Sequence, residues 1–259
     1  MEASLQTSIQ QAAFKAAQFP HSGDWLFALP IIASCGLRLD DEAVRVAVAL
    51  RLGLPVCVPH QCPCGSVVDA HGVHSFICKK APGRTARHHA LNDLIARSFV
   101  SAGIPVTKEP SGISRTDGKR PDGMTLVPWS GGKPLTWDVT VACPLAMSYL
   151  DAAANNAGSA ADTAAERKTA KYAQLGTQFL SQPIAVESMG PMHESARQFL
   201  VDCGCKITVR FRDDCEGSFL FQRIRFCCVT VLFLFTARIE CHSFFTNQFI
   251  SHPWYFPRV

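Results

Sequence analysis

The chain has 259 residues, 47% of them apolar and 18% charged. That is enough to bury a sizeable core, and it excludes disordered and collagen-like classes. The formal charge of +4 is mild, but residues 79–120 hold nine Lys/Arg against three acids, a local +6 that exceeds the whole.

Residues 1–57 read as a helical lead-in. Asp40, Asp41 and Glu42 open an amphipathic stretch carrying Val44, Val46, Ala47, Val48 and Leu50, which closes at Gly53 and Pro55. No basic region followed by an apolar core begins the chain, so a secretory signal is not read. An intracellular protein is expected, with its twelve cysteines reduced rather than cross-linked.

Residues 58–82 lack periodicity and are dense in Cys, His, Gly and Pro, which suits a small zinc-knuckle-like module. Cys62, Cys64, His74 and Cys78 form Cys-x-Cys-x9-His-x3-Cys, four soft or borderline ligands for one tetrahedral zinc. His71 is the alternate to His74, and Gly65 permits a tight turn after the first pair. Four protein ligands leave no open position, so the expected zinc is structural.

A helix is predicted over 86–102, with Leu91, Leu94, Ile95 and Phe99 on one face and Gly103 at its end. Short β-prone runs follow at 104–108, 124–127 and 135–142, with Gly131-Gly132 as the turn between the last two. An Ala-rich helix is predicted over 158–175, a strand over 184–187, and a further helix from about His193. The order α-β-β-β-α-β over 86–188 predicts a mixed α/β unit.

From Arg225 the composition turns to Phe, Cys and β-branched residues, so 225–259 reads as a divergent hydrophobic tail. Its longest apolar run, Phe226 to Ala237, has twelve residues, too few to span a bilayer.

The chemistry concentrates in Arg120-Pro121-Asp122, in Asp138 within Trp137-Asp138-Val139-Thr140-Val141, and in Lys168, Lys171 and Tyr172. Asp122 precedes one predicted strand and Asp138 lies in the next. If these strands are neighbours, the carboxylates converge on one hard cation, Mg²⁺ or Mn²⁺, with Glu109 as a third acid. Lys168, Lys171 and Tyr172 are spaced i, i+3, i+4 and share a helix face. Ala161, Ala164, Ala165 and Leu175 fall on or beside it, which turns the lysines toward the sheet. There an ammonium can orient water or offset charge developing on a phosphate. Lys79, Lys80, Arg84, Arg87, Lys119 and Arg120 are the candidate nucleic-acid contacts. His88 and His89 are a further pair in reach of phosphate or simply of solvent.

This constellation resembles the restriction-like endonuclease of non-LTR retrotransposons, a branch of the PD-(D/E)xK nucleases, over roughly residues 24–224. Those elements carry a Cys-Cys-His-Cys zinc motif just upstream, as Cys62, Cys64, His74 and Cys78 stand here. The resemblance implies a restriction-endonuclease-like α/β core over 83–224, with Asp122 and Asp138 as metal ligands. It makes Lys168 or Lys171 the catalytic lysine, moved onto a helix. It also implies cleavage of target DNA in the nucleus, the free 3′ end priming reverse transcription. Fifteen residues separate the two acids, slightly more than the family's usual gap, and Thr140 stands where most of the superfamily has lysine.

No aromatic-x-Asp-Asp turn of a reverse transcriptase occurs. The chain is therefore expected to be the C-terminal piece of such an element, with family-like sequence ending near Gln222-Arg223-Ile224. DNA is the expected partner and RNA a second candidate, while no membrane or small-molecule partner is indicated. The competing reading is a zinc-containing nucleic-acid-binding remnant without catalysis. A weaker third is a zinc-stabilised interaction protein.

Overall fold

A computed structural model describes residues 7–26, 41–80, 82–113, 120–173 and 178–240, with backbone alone at 43, 82 and 229–240. Asp40, Lys119, the Ala-rich helix beyond 173 and the tail beyond 240 lie outside the described residues.

The lead-in supplies helix α1 (Ser8–Gln18), a single 3-10 turn (Asp24–Leu26) and α2 (Asp41–Arg51). The Thr7 hydroxyl accepts from the Gln10 N–H at 3.2 Å and caps α1. Ala12, Ala13 and Ala16 then pack with Trp25, Val46, Leu50 and Leu150 in one apolar cluster. Next come the short antiparallel strands β1 (His60–Gln61) and β2 (Val67–Val68) and one turn of helix, α3 (His74–Ile77). Val56, Val73 and Phe76 join this module to the first cluster.

The chain is mixed α/β. Helix α4 (Pro82–Ser101) leads into β3 (Val106–Lys108), β4 (Gly123–Thr125) and β5 (Leu135–Ala142). Then follow the short helix α5 (Leu150–Asn155), α6 (Ser159–Tyr172), β6 (Leu180–Glu187), α7 (Glu194–Phe211) and α8 (Glu216–Glu240). The four-stranded sheet has the order β3-β4-β5-β6, antiparallel except for the parallel pair β5/β6. β6 begins earlier than its apolar run predicts. The ladder holds it to β5 from Leu135↔Leu180 to Ala142↔Glu187, so polar Ser181 and Gln182 are strand residues too. The α5 segment, only six residues long, carries no strong sequence pattern.

Period-two alternation sorts the side chains of β5. Leu135, Trp137 and Val139 enter the main core with Leu91, Ile95 and Phe99 of α4 and with residues of α7 and α8. Thr136, Asp138, Thr140 and Ala142 take the other parity, and Ala142 packs with Ala160, Ala161, Ala164 and Ala165 of α6. Methyl groups let α6 lie close to the sheet. One turn further along, this face presents Lys168, Lys171 and Tyr172.

The change in composition at Arg225 is not a break in the backbone, because α8 runs through it. Leu220, Ile224 and Cys228 are in the main core. Arg225 is 2% exposed and donates to the Gly190 carbonyl at 3.0 Å and the Pro20 carbonyl at 3.5 Å. Among the described residues no helix is long and apolar enough to cross a membrane.

The start of α6 rests on a buried acid. Oε1 of Glu187 accepts from the N–H groups of Ala160 and Ala161 at 3.0 and 3.3 Å, while Oε2 is buried without a partner. Burial pushes the Glu187 carboxyl up from 4.5 to about 7; the backbone N–H groups at the start of α6 oppose this and the charge of Asp162 adds to it. Between these values the folded chain keeps a proton that the unfolded chain has released, so stability falls as pH rises from about 4.5 to about 7. Glu187→Gln keeps the accepting oxygen and removes the charge. It is expected to gain about 1–3 kcal/mol at pH 8 and nothing near pH 4. Urea unfolding at the two pH values checks this, and an equal gain at both would contradict it.

Candidate functional site

Two centres stand side by side in the chain. In the first, the β1/β2 turn carries Cys62 and Cys64, and α3 brings His74 and Cys78 beneath it. Gly65 has φ 93°, a left-handed conformation that a Cβ would strain, and its N–H donates to the Cys62 carbonyl at 2.8 Å. The ligand atoms of Cys62, Cys64, His74 and Cys78 all lie within 4.8 Å of one another. The Cys62 and Cys78 sulfurs are 3.8 Å apart, and the Cys64 sulfur is 3.1 Å from Nε2 of His74. Two sulfurs each about 2.3 Å from a tetrahedral zinc would be separated by about 3.8 Å.

The Cys64 thiol is lowered to about 6 by the hydroxyl and backbone of Ser66, which favours the thiolate a metal needs. This Cys₃His set can therefore hold a zinc ion. The alternate, His71, has a buried Nδ1 with no partner and is outside the set. Among the described residues no other three or more His, Cys, Asp or Glu side chains bring ligand atoms so close together.

The second centre gathers residues from four segments: α4, the stretch before β4, β5 and α6. Asp122 immediately precedes β4, and its N–H donates to the Trp137 carbonyl at 3.0 Å. Its Oδ2 accepts from the Val139 N–H at 2.7 Å and from Nε2 of His88 at 2.9 Å. Asp138 is the residue before Val139, so the two acids flank one peptide unit of β5. Asp138 is 4% exposed. Its Oδ1 receives Lys168 and its Oδ2 receives Lys171 at 3.1 Å. Lys171 also donates to the Tyr172 hydroxyl at 2.5 Å, and that hydroxyl donates to the Arg120 carbonyl at 2.8 Å.

Burial pushes the Asp122 carboxyl up. The hydrogen bond and charge of His88, the Val139 N–H and the charge of Lys168 outweigh it and hold the group below the ordinary carboxylate range. His88 is correspondingly raised, by its hydrogen bond to Asp122 against the cost of burial.

Gly123 completes the segment for a packing reason, since a Cβ there would lie 2.0 Å from the Trp137 ring. Trp137 in turn donates from Nε1 to Oδ1 of Asn92 at 2.8 Å, and Asn92 reaches the Asp122 carbonyl at 3.4 Å. His88 and Asn92 thus brace the acid from α4. Their sequence signal was the i, i+4 spacing of two polar residues beside Leu91 and Ile95.

The remaining candidates divide. Glu109 stands at the end of β3, half-exposed and ion-paired with Arg120, and its N–H donates to the Asp122 carbonyl at 3.0 Å. Arg87 differs from the expected phosphate contact. It is 5% exposed, donates to the Phe76 carbonyl at 2.8 Å and lies over the Phe76 ring, because its helix face packs on the Cys₃His module. Lys79, Lys80 and Arg84 are exposed, as is Arg120 beside Glu109. Lys119 lies outside the described residues. No family model matches the chain, and no curated protein matches it.

Proposed function

We propose that the chain is a metal-dependent DNA endonuclease with a restriction-endonuclease-like core of the kind found in non-LTR retrotransposons, acting in the nucleus. One observation carries the reading: Asp122 and Asp138 flank a single β5 peptide unit, with Lys168 and Lys171 beside them. The order α4-β3-β4-β5-α6-β6, with its parallel last pair, supports the same core.

The donor set fits Mg²⁺ or Mn²⁺, which are held by one or two carboxylates together with water and substrate phosphate. When bound, such an ion supplies Lewis acidity and a polarised water. Asp122 and Asp138 would hold it. His88 and the Val139 N–H keep Asp122 ionised and oriented, and the lysine ammoniums face the charge that builds on the phosphate. Exposed Lys79, Lys80 and Arg84 supply screened attraction for the DNA backbone, and RNA offers the same phosphates. The zinc module buttresses α4, which carries His88.

One observation favours a second reading, a zinc-containing nucleic-acid-binding remnant. Both lysines are engaged by Asp138 and Glu109 is engaged by Arg120, which leaves two acids where a third was expected.

Nicking of supercoiled plasmid separates the two. The endonuclease requires Mg²⁺-dependent relaxation that vanishes in Asp122→Asn. The remnant requires salt-sensitive binding with intact plasmid. Absence of both binding and nicking at low salt eliminates both and leaves a zinc-stabilised interaction protein.

A further inference from the structure

The two lysines on Asp138 are not equivalent. The Lys171 ammonium is bound to Asp138 and to the Tyr172 hydroxyl, and it lies 4.3 Å from the centre of the Tyr172 ring. The Lys168 ammonium donates to Oδ1 of Asp138. Among the described residues its side-chain hydrogen bond goes to Asp138 alone, so it lacks the second anchor that the Tyr172 hydroxyl gives Lys171.

Tyr172 closes the frame. It is 2% exposed, so its ring cannot turn away. A tyrosine hydroxyl has one proton, which goes to the Arg120 carbonyl, and an ammonium can only donate, so the Lys171 contact uses the accepting side of that oxygen. One oxygen thus links α6, through Lys171, to the Asp138 carboxylate and to the backbone two residues before Asp122. The intervening Pro121 is buried, and its ring locks φ, so the position of the Arg120 carbonyl is passed stiffly to Asp122.

We propose that Tyr172 and Lys171 are a positioning pair that sets the spacing of the Asp122 and Asp138 carboxylates, leaving Lys168 as the lysine that faces the substrate phosphodiester. This rests on the endonuclease reading for the role of Lys168. The spacing role is tested by metal binding alone.

The experiment uses the full chain and Mn²⁺ as the probe, with affinity read by calorimetry and the site identified by loss of binding in Asp122→Asn. Tyr172→Phe removes one oxygen and keeps the ring. It is expected to melt within a few degrees of the parent yet weaken Mn²⁺ by about tenfold, as loss of a group that orients a ligand does. Its nicking should recover at high Mg²⁺. Lys171→Arg, which cannot reproduce the hydroxyl and carboxylate geometry together, should weaken Mn²⁺ similarly.

Lys168→Met should keep Mn²⁺ affinity and Ca²⁺-supported DNA binding, while nicking falls by about a hundredfold or more at every Mg²⁺ concentration. Tyr172→Phe binding Mn²⁺ like the parent overturns the positioning pair. Lys168→Met nicking at the parental rate overturns the division of labour. A parent chain that binds Mn²⁺ through Asp122 but cuts nothing overturns the endonuclease reading and the Lys168 role with it. The Tyr172 result still decides the spacing. A parent without that Mn²⁺ site overturns both.

Discussion

Asp138→Asn is expected to eliminate Mg²⁺-dependent nicking, by about three orders of magnitude, and to cost stability as well. On the proposed endonuclease reading, the activity loss follows from removing one of the two carboxylates that would hold the ion. Three decades correspond to about 4 kcal/mol of transition-state stabilisation, within what one metal contact supplies. The stability loss has a separate cause. Asp138 is 4% exposed and is the counter-charge for both Lys168 and Lys171, whose side chains are only 23% and 24% exposed. Removing one member of such a buried set leaves charge uncompensated, at a cost of about 2–4 kcal/mol here.

The two effects can be separated. In the double variant Asp138→Asn/Lys168→Met one ammonium is gone with the charge that held it, so the melting temperature should recover by at least about half the loss. Nicking should stay absent. Recovery of nicking along with stability would mean that Asp138 matters for folding and not for chemistry.

Removal of a zinc ion held by the Cys₃His set is the second large expected effect. The Cys₃His set spans 62–78, a segment whose strands β1 and β2 pair over only two residues each. A ladder that short cannot hold itself in water. Without the ion, Val68, Val73 and Phe76 would lose the frame that buries them, and Phe76 is the residue that Arg87 of α4 both bonds and covers. Chelation, or His74→Ala, is therefore expected to lower the melting temperature by about 10 °C, equivalent to several kcal/mol for a chain of this size. Metal analysis should find one zinc per chain, and the loosened α4 should also weaken the His88 brace on Asp122. A purified protein without zinc, melting unchanged in chelator, would dispose of the centre.

Several site residues were legible in the sequence because their spacing is local. Cys62, Cys64, His74 and Cys78 lie within seventeen residues, and two short turns suffice to gather them. Lys168, Lys171 and Tyr172 fall on one helical face by period alone, and the alanines one turn before them mark that face as the packed one.

The partners of these residues were not legible. His88 meets Asp122 across 34 residues, and Tyr172 meets the Arg120 carbonyl across 52. Nothing in periodicity tells which polar residue on α4 will point at the end of β4. Charge counting misled at Arg87, and the place of Glu109 at a strand end did not reveal its pairing with Arg120. A formal charge says nothing about whether a guanidinium is exposed or whether a carboxylate has already found Arg120.

The amino-acid order alone determined the helical and strand periods, the ligand chemistry of the Cys₃His module, and the presence of two acids and two lysines in sequence. These follow from torsional preference and side-chain type, which act over a few residues. Only the tertiary structure decided that α8 continues through Arg225, that Glu187 is buried under α6, and that Asp122 and Asp138 share one peptide unit. Each of these depends on how the sheet pairs and which faces it covers. That is settled by burial summed over the whole chain, and no short window of sequence contains it.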